Sequence, residues 1–483
     1  MKKNLKKNYL YNLSYQILII ITPLITTPYI SRTLGAEGIG INSYVESIAS
    51  YFMLFSVMGA GIYGQREMSY YQDDKQKRTT IFWEIKTITL ITTLCMGLLY
   101  GCFYFLLSDQ NLLYAIYAIN FLNVIVDVTW LYQGLEEFGI ITLRNVILRI
   151  INIIYIFLMV KTPDDVVIYA IGLLTVTLIG NVLMWVNIGR LIGKPNFREL
   201  HPLRHLKGII ELFIPTIAIQ IYLVLDKTMI GLMTDSSHEN GYYDQAMKIA
   251  KIALTVVTSV STVMIPRVAY YYEQKLADKI EELMYKAFNL VWLLGIPMCL
   301  GLIAVAPNFV PWFFGDGYDK VVGLLQIFSF LILAIGVNTL TGGVYMIATK
   351  KQSHYTYTVI IGATVNFVIN MLLISKFKSN GAAIASVIAE ATIAISQLIL
   401  LRKNLSIKKI CMISRNYLVA AGIMFFIIRK MGSYLSSSII HTFLLVAIGA
   451  MVYGLVLLIM RDKFLLENIR NILGKITSKR KEE

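Results

Sequence analysis

A chain of 483 residues that is 57% hydrophobic and only 15% charged, with a mean hydropathy of +0.64, carries more apolar side chain than a water-soluble fold of this length needs. A formal charge of +15 would point to nucleic acid in a soluble protein, but in a membrane chain the same excess orients loops, so nucleic acid is set aside as a partner. Cys95, Cys102, Cys299 and Cys411 show no Cys-x-x-Cys spacing and there is no histidine cluster, so neither a disulfide framework nor a bound metal is expected.

A crossing takes roughly 20 apolar residues. On that rule the apolar runs predict an all-α integral membrane protein whose first six spans lie at about 11–30, 39–62, 81–107, 112–132, 141–160 and 166–188. The next six lie at 209–233, 242–265, 283–306, 321–347, 355–374 and 381–401, and two more follow at 413–428 and 439–460, fourteen in all. The basic start MKKNLKKN resembles a signal peptide, but the run behind it continues as a full span without a small-residue cleavage site. It is read as a retained helix.

Charge asymmetry fixes the orientation. With the N-terminus inside, 32 of the 44 Lys and Arg fall on inner segments and seven on outer ones, which makes both termini cytoplasmic. Lys86, Arg149, Lys227, Lys248 and Lys251 remain within spans.

An offset of 201 relates Gly40 to Gly241, Arg66 to Arg267 and Tyr70-Tyr71 to Tyr271-Tyr272, with a fainter echo at 214 between Asn152 and Asn366. Six-span repeats of like orientation are the arrangement of transporters that rock about a central site. The expected divisions are a lobe at 1–192, a cytoplasmic link at 193–208, a second lobe at 209–401, and two further helices with a basic tail at 402–483.

The connecting loops are too short for a catalytic domain, and no GxxxxGK[ST] motif is present, so an enzyme is not expected. The chemistry must lie in the spans. Charges at bilayer depth are costly and mark cavities or partners. Lys248 and Lys251 share a helix face with Asp244 and Thr255, while Asp226 and Lys227 diverge by about 100° around span seven. A structural Asp226–Lys248 pair is one reading; three lysines against one aspartate favour an anion cavity instead. Arg149 and Arg32 extend the cationic set. Glu46, Asp127, Asp226 and Glu390 are the candidate counter-charges or ion-coupling groups, whereas Glu84 and Lys86, near a span end, are expected to snorkel to the interface. Pro23, Pro28 and Pro215 are candidate hinges, because proline removes a helix hydrogen bond.

PYISRTLGAEGIG (28–40), YGQRE (63–67), FWEI (82–85), LDKTMIGLM (225–233) and GYYDQAMKI (241–249) resemble the Wzx-type polysaccharide flippases, of the superfamily that also holds the multidrug extruders and lipid II flippases. The likeness covers most of the chain and loosens after about Asn404. It implies a V-shaped pair of six-helix lobes in the bacterial inner membrane. It also implies export of an undecaprenyl-diphosphate-linked oligosaccharide for capsule or exopolysaccharide synthesis, with a polysaccharide polymerase and assembly proteins as candidate partners. No cofactor is implied beyond H+ or Na+ coupling. The last two helices correspond to the extra pair that helps form a lipid-tail groove in lipid II flippases. The alternatives are a cation-coupled multidrug antiporter, for which a net acidic lining would be expected, a lipid II flippase, and a membrane scaffold, which would not need buried charge.

Overall fold

The computed structural model describes residues 5–107, 111–468 and 470, and these are helical along almost their whole length. The link at 108–110 and most of the basic tail lie outside the described residues, as does the side chain of Pro215. Twelve helices among the described residues are long and apolar enough to cross a membrane. One of them, α1 (Leu5–Val57), holds 53 residues, about 80 Å if straight, against roughly 30 Å of hydrocarbon. Its helix is interrupted at Gly35 (φ 67°, ψ 174°), a backbone region open to glycine, so α1 makes two passes. The polar loop expected at 31–38 is thus a one-residue kink. A further apolar helix of spanning length, α10 (Leu206–Met233), completes the fourteen. The interruption in α1 is at Gly35, while Pro23 and Pro28 lie inside its first arm.

Contacts divide the chain into two compact units, Met1–Asp244 and Gln245–Glu483. In the first, α1 is followed by α2 (Ala60–Tyr70) and α3 (Lys75–Leu107). Span four is three short helices, α4 (Leu112–Tyr117), α5 (Ile119–Val126) and α6 (Thr129–Gly134). Helices α7 (Phe138–Met159) and α8 (Val166–Leu183) close the bundle, and a short α9 (Ile188–Leu191) leads toward α10. Phe82, Ile85, Leu131 and Tyr132 are fully buried in its core.

The start of α3 ties down the stretch between α9 and α10. Arg78 donates to the Leu191 carbonyl at 2.6 and 3.0 Å, and Trp83 Nε1 donates to the Gly193 carbonyl at 3.1 Å. Glu84 is fully buried. Its carboxylate accepts from the His201 amide (2.7 Å) and from Arg204 (2.6 and 3.0 Å), and it meets His205 Nε2 at 2.7 Å. His205 Nδ1 in turn bonds the Tyr63 hydroxyl at 2.8 Å. Snorkelling is therefore incorrect for both residues expected to do it: Lys86, 8% exposed, turns inward and donates to the Asp127 carbonyl at 2.7 Å. A short stem at a span end reaches whichever partner lies nearest, and here that partner is protein.

The helix boundaries carry the internal repeat further than the sequence did. The second arm of α1 starts at Ala36 and breaks before Gly59; α11 (Ser237–Thr258) breaks at Ser259 and continues as α12 (Val260–Glu273). Ala36 and Ser237, like Met58 and Ser259, are 201 apart. Within the first unit, the opening turns of α11 cross the second arm of α1 with Ala36 and Gly40 facing Ser237 and Gly241.

In the second unit, α13 (Ala277–Phe314) packs on α14 (Asp319–Asn338), which runs into a π-helical segment, Thr339–Met346. Helices α15 (Gln352–Phe377) and α16 (Ser379–Leu400) are joined through Gln397, which accepts from Thr341 (2.6 Å) and donates to Thr358 (3.1 Å). The last pair, α17 (Ile407–Gly432) and α18 (Ile439–Ile459), lies against α13; Asn308 donates to the Gly432 and Leu435 carbonyls at 2.9 and 3.0 Å. Large apolar side chains such as Leu98, Phe105, Phe426 and Ile459 are exposed along these helices, the surface that a hydrocarbon solvent covers.

Candidate functional site

Two polar sites lie inside the first unit. The first is at the predicted outer end, where α10 meets the start of α11 and the second arm of α1. Asp226 and Lys227 are adjacent on α10 and so point about 100° apart. They engage adjacent partners on α11: Asp226, 6% exposed, accepts from the Tyr243 hydroxyl at 2.5 Å, and Lys227 Nζ lies 2.5 Å from Asp244 Oδ1. Glu46 Oε2 stands 3.9 Å from the same ammonium. The Asn240 amide donates to the Lys227 carbonyl at 2.9 Å, and Thr228 donates to Ser47 at 2.9 Å.

This corrects the charge count. Lys227 is offset by Asp244 and Glu46, so two carboxylates face its ammonium. Lys248 is half-buried and Lys251 exposed one and two turns further along α11, in the second unit. Tyr243 and Asp244 are the members that sequence reasoning left out of the site. The signal was present, since Asp244 precedes Lys248 by four residues on one stripe.

The second site is the break in span four. Asp127 adopts an extended backbone (φ −65°, ψ 123°) between α5 and α6, and its Oδ1 accepts from the amide and hydroxyl of Thr129 at 2.9 and 2.6 Å, an Asx turn leading into α6. Carbonyls freed by the break find donors on neighbouring spans: Val126 O accepts from Trp185 Nε1 at 2.7 Å and Asp127 O from Lys86. Non-helical backbone at membrane depth is tolerated only with such partners or beside a wet cavity. Arg144 extends from α7 to Thr129 and Asn181 at 3.0 and 3.2 Å, and Asn181 donates to Asn123 Oδ1 at 3.3 Å. Arg144, one of the 32 Lys and Arg assigned to inner segments, lies inside α7 and points into the bundle.

The remaining candidates are dispersed. Arg32 lines a separate cleft of about 560 Å³ with Tyr29, Phe157 and Lys161. Arg149 is half-buried on α7. Glu390, in the second unit, accepts from the Asn338 side-chain amide. Among the described residues no group of His, Cys, Asp and Glu is arranged to hold a metal ion.

An all-helical, many-span bundle with charged side chains paired inside it defines a polytopic membrane protein of the transporter type. Residues 5–271 match the model of the polysaccharide biosynthesis protein family, and the chain belongs to that family, as the likeness of its motifs to Wzx-type flippases implied. It is 24% identical over 411 residues to a putative O-antigen transporter of Escherichia coli (strain K12), covering 83% of this chain and 98% of that one. It is 23% identical over 242 residues, about half of each chain, to a probable low-salt glycan biosynthesis flippase of Haloferax volcanii. Among solved structures, a lipid II flippase in an inward closed conformation superposes with a TM-score of 0.72 at 18% identity, covering 94% of this chain and 99% of that one. An inward-facing multidrug resistance transporter of the MATE family gives 0.56 at 13% identity, covering 82% and 96%. At these identities the superpositions establish a shared fold. The relatives are transporters and flippases, in keeping with a chain that is not an enzyme.

Proposed function

We propose that this protein moves an undecaprenyl-diphosphate-linked oligosaccharide from the inner to the outer leaflet of a bacterial cytoplasmic membrane, by alternating access, for capsule or exopolysaccharide synthesis. In this reading residues 1–192 and 209–401 are two pseudo-symmetric lobes joined by a cytoplasmic link, 402–483 adds two helices, and both termini are cytoplasmic. The observation that carries it is Lys227, held inside a membrane bundle between Asp244 and Glu46. A lysine with two exchangeable carboxylate partners is neutralised when empty and can trade one of them for a diphosphate oxygen. Lys248, Lys251, Arg149 and Arg32 are the further cationic candidates. A released carboxylate is then free to take H+ or Na+, which couples the cycle to a gradient. A polysaccharide polymerase and assembly proteins are the partners this role calls for.

One observation favours a second reading. Glu46, Asp226 and Asp244 together outnumber Lys227, and an acidic lining suits a cation-coupled multidrug antiporter. The two readings part in a deletion strain. The flippase reading expects loss of surface glycan, accumulation of lipid-linked oligosaccharide on the inner leaflet and unchanged tolerance of cationic dyes. Intact glycan with heightened dye sensitivity overturns it.

A further inference from the structure

The break at Asp127 forms part of the wall of a cavity of about 630 Å³ that lies wholly within the first unit, a size in the range of small-molecule sites, roughly 300–1,000 Å³. One side of that wall is fixed by the hydrogen bonds among Asp127, Thr129, Arg144, Asn181 and Asn123. The lining also includes Gln65, Asn120 and Gln133, each with a side-chain amide. Among the described residues these three make no side-chain hydrogen bond, and the side-chain bonds of Asp127 all run through Oδ1, leaving Oδ2 to accept from a ligand.

The composition of this wall selects a ligand class. Each amide offers two donors and an acceptor carbonyl, the pattern that a row of hydroxyls matches. Asp127 and Arg144 cancel in formal charge, so the wall favours neither an anion nor a cation. Discontinuous spans whose ends line a cavity are where membrane transporters place their substrates. Gln65, Asp127 and Gln133 lie toward the ends of spans that the proposed topology puts on the cytoplasmic side, where a headgroup enters, and Asn120 lies deeper in span four.

We propose that this cavity is a subsite for an uncharged sugar of the glycan headgroup, held by Gln65, Asn120, Gln133 and Asp127 Oδ2 and distinct from the charged cluster at Lys227. The assignment rests on the flippase reading, because only a glycan-bearing lipid brings a sugar here.

The test uses the full chain in lipid nanodiscs and two probes, undecaprenyl diphosphate alone and the same lipid bearing a single hexose. The wild type binds the sugar-bearing lipid about tenfold more tightly or better. The Asn120→Leu, Gln133→Leu double variant, which removes no hydrogen bond within the fold, loses that advantage while its affinity for the sugar-free lipid is unchanged. Asp127→Asn, which keeps Oδ1 for its bonds to Thr129, reduces the advantage in part. An advantage of equal size in wild type and double variant overturns the subsite, as does equal binding of both lipids by the wild type, which leaves the flippase reading standing. Failure of both lipids to bind the wild type overturns the flippase reading and the subsite with it.

Discussion

Gly40 and Gly241 each face the backbone at the start of the other's helix, which fills the space that a side chain of their own would need. A Cβ on Gly40 would lie 1.7 Å from the Ser237 carbonyl oxygen, and one on Gly241 would lie 1.9 Å from that of Ala36. Small residues four apart on both helices let the backbones approach to this distance. Because the obstruction is backbone, it cannot rotate away. Gly40→Ala or Gly241→Ala is expected to force the helices apart and destabilise the protein by about 1–3 kcal/mol. Thermal unfolding in detergent measures it, with Gly61→Ala, which meets open space, as the control.

The Lys227–Asp244 contact is a pair with little exposure, at 19% and 11% of the side chains. Removing either member alone strands a charge; removing both does not. The losses of Lys227→Ala and Asp244→Ala are expected to sum to more than the loss of the double variant, by a coupling of roughly 0.5–3 kcal/mol. Additive losses would show that the contact carries nothing. Lys227→Arg should keep surface glycan better than Lys227→Ala, since charge is what the proposed diphosphate site asks for.

Glu84 gathers three donors from the stretch that joins α9 to α10. Glu84→Ala removes the acceptor they share and should release that stretch, exposing Arg198 and Arg204 to trypsin at rates several-fold above wild type. Limited proteolysis followed by mass spectrometry reads the cut sites directly. Unchanged cleavage would mean that Arg78 and Trp83 hold the segment without help.

Orientation is tested by chemistry from one side of the membrane. In a background with Cys95, Cys102, Cys299 and Cys411 replaced by Ala, a membrane-impermeant thiol reagent applied to intact cells should label Ser236→Cys and spare Glu199→Cys. The reverse pattern would invert the topology.

Fourteen crossings were legible because hydropathy depends on composition, which the sequence states outright. Partners are a matter of placement, and there the reading was weaker. Depth alone made Glu84 and Lys86 look interfacial, although Arg204 and the Asp127 carbonyl lie within reach of them. Lys227 appeared uncompensated because Asp244 lies seventeen residues away, across a turn. The break at Asp127 had no outward sign, since no glycine or proline occurs between Leu112 and Gln133. The repeat, by contrast, was readable from four positions, and helix boundaries at the same spacing extend it.

The break in span four also bears on how the chain is made. Until span six is made, the carbonyl of Val126 lacks its donor in hydrocarbon, a cost of several kcal/mol. The donor to the Asp127 carbonyl, Lys86, is synthesised earlier; the donor to Val126, Trp185, follows two spans later. Span four therefore reaches its final form only after span six has emerged. A nascent chain cut before Trp185 should be held at the insertion machinery or handed to a protease, and the order of synthesis sets a checkpoint midway through the first unit.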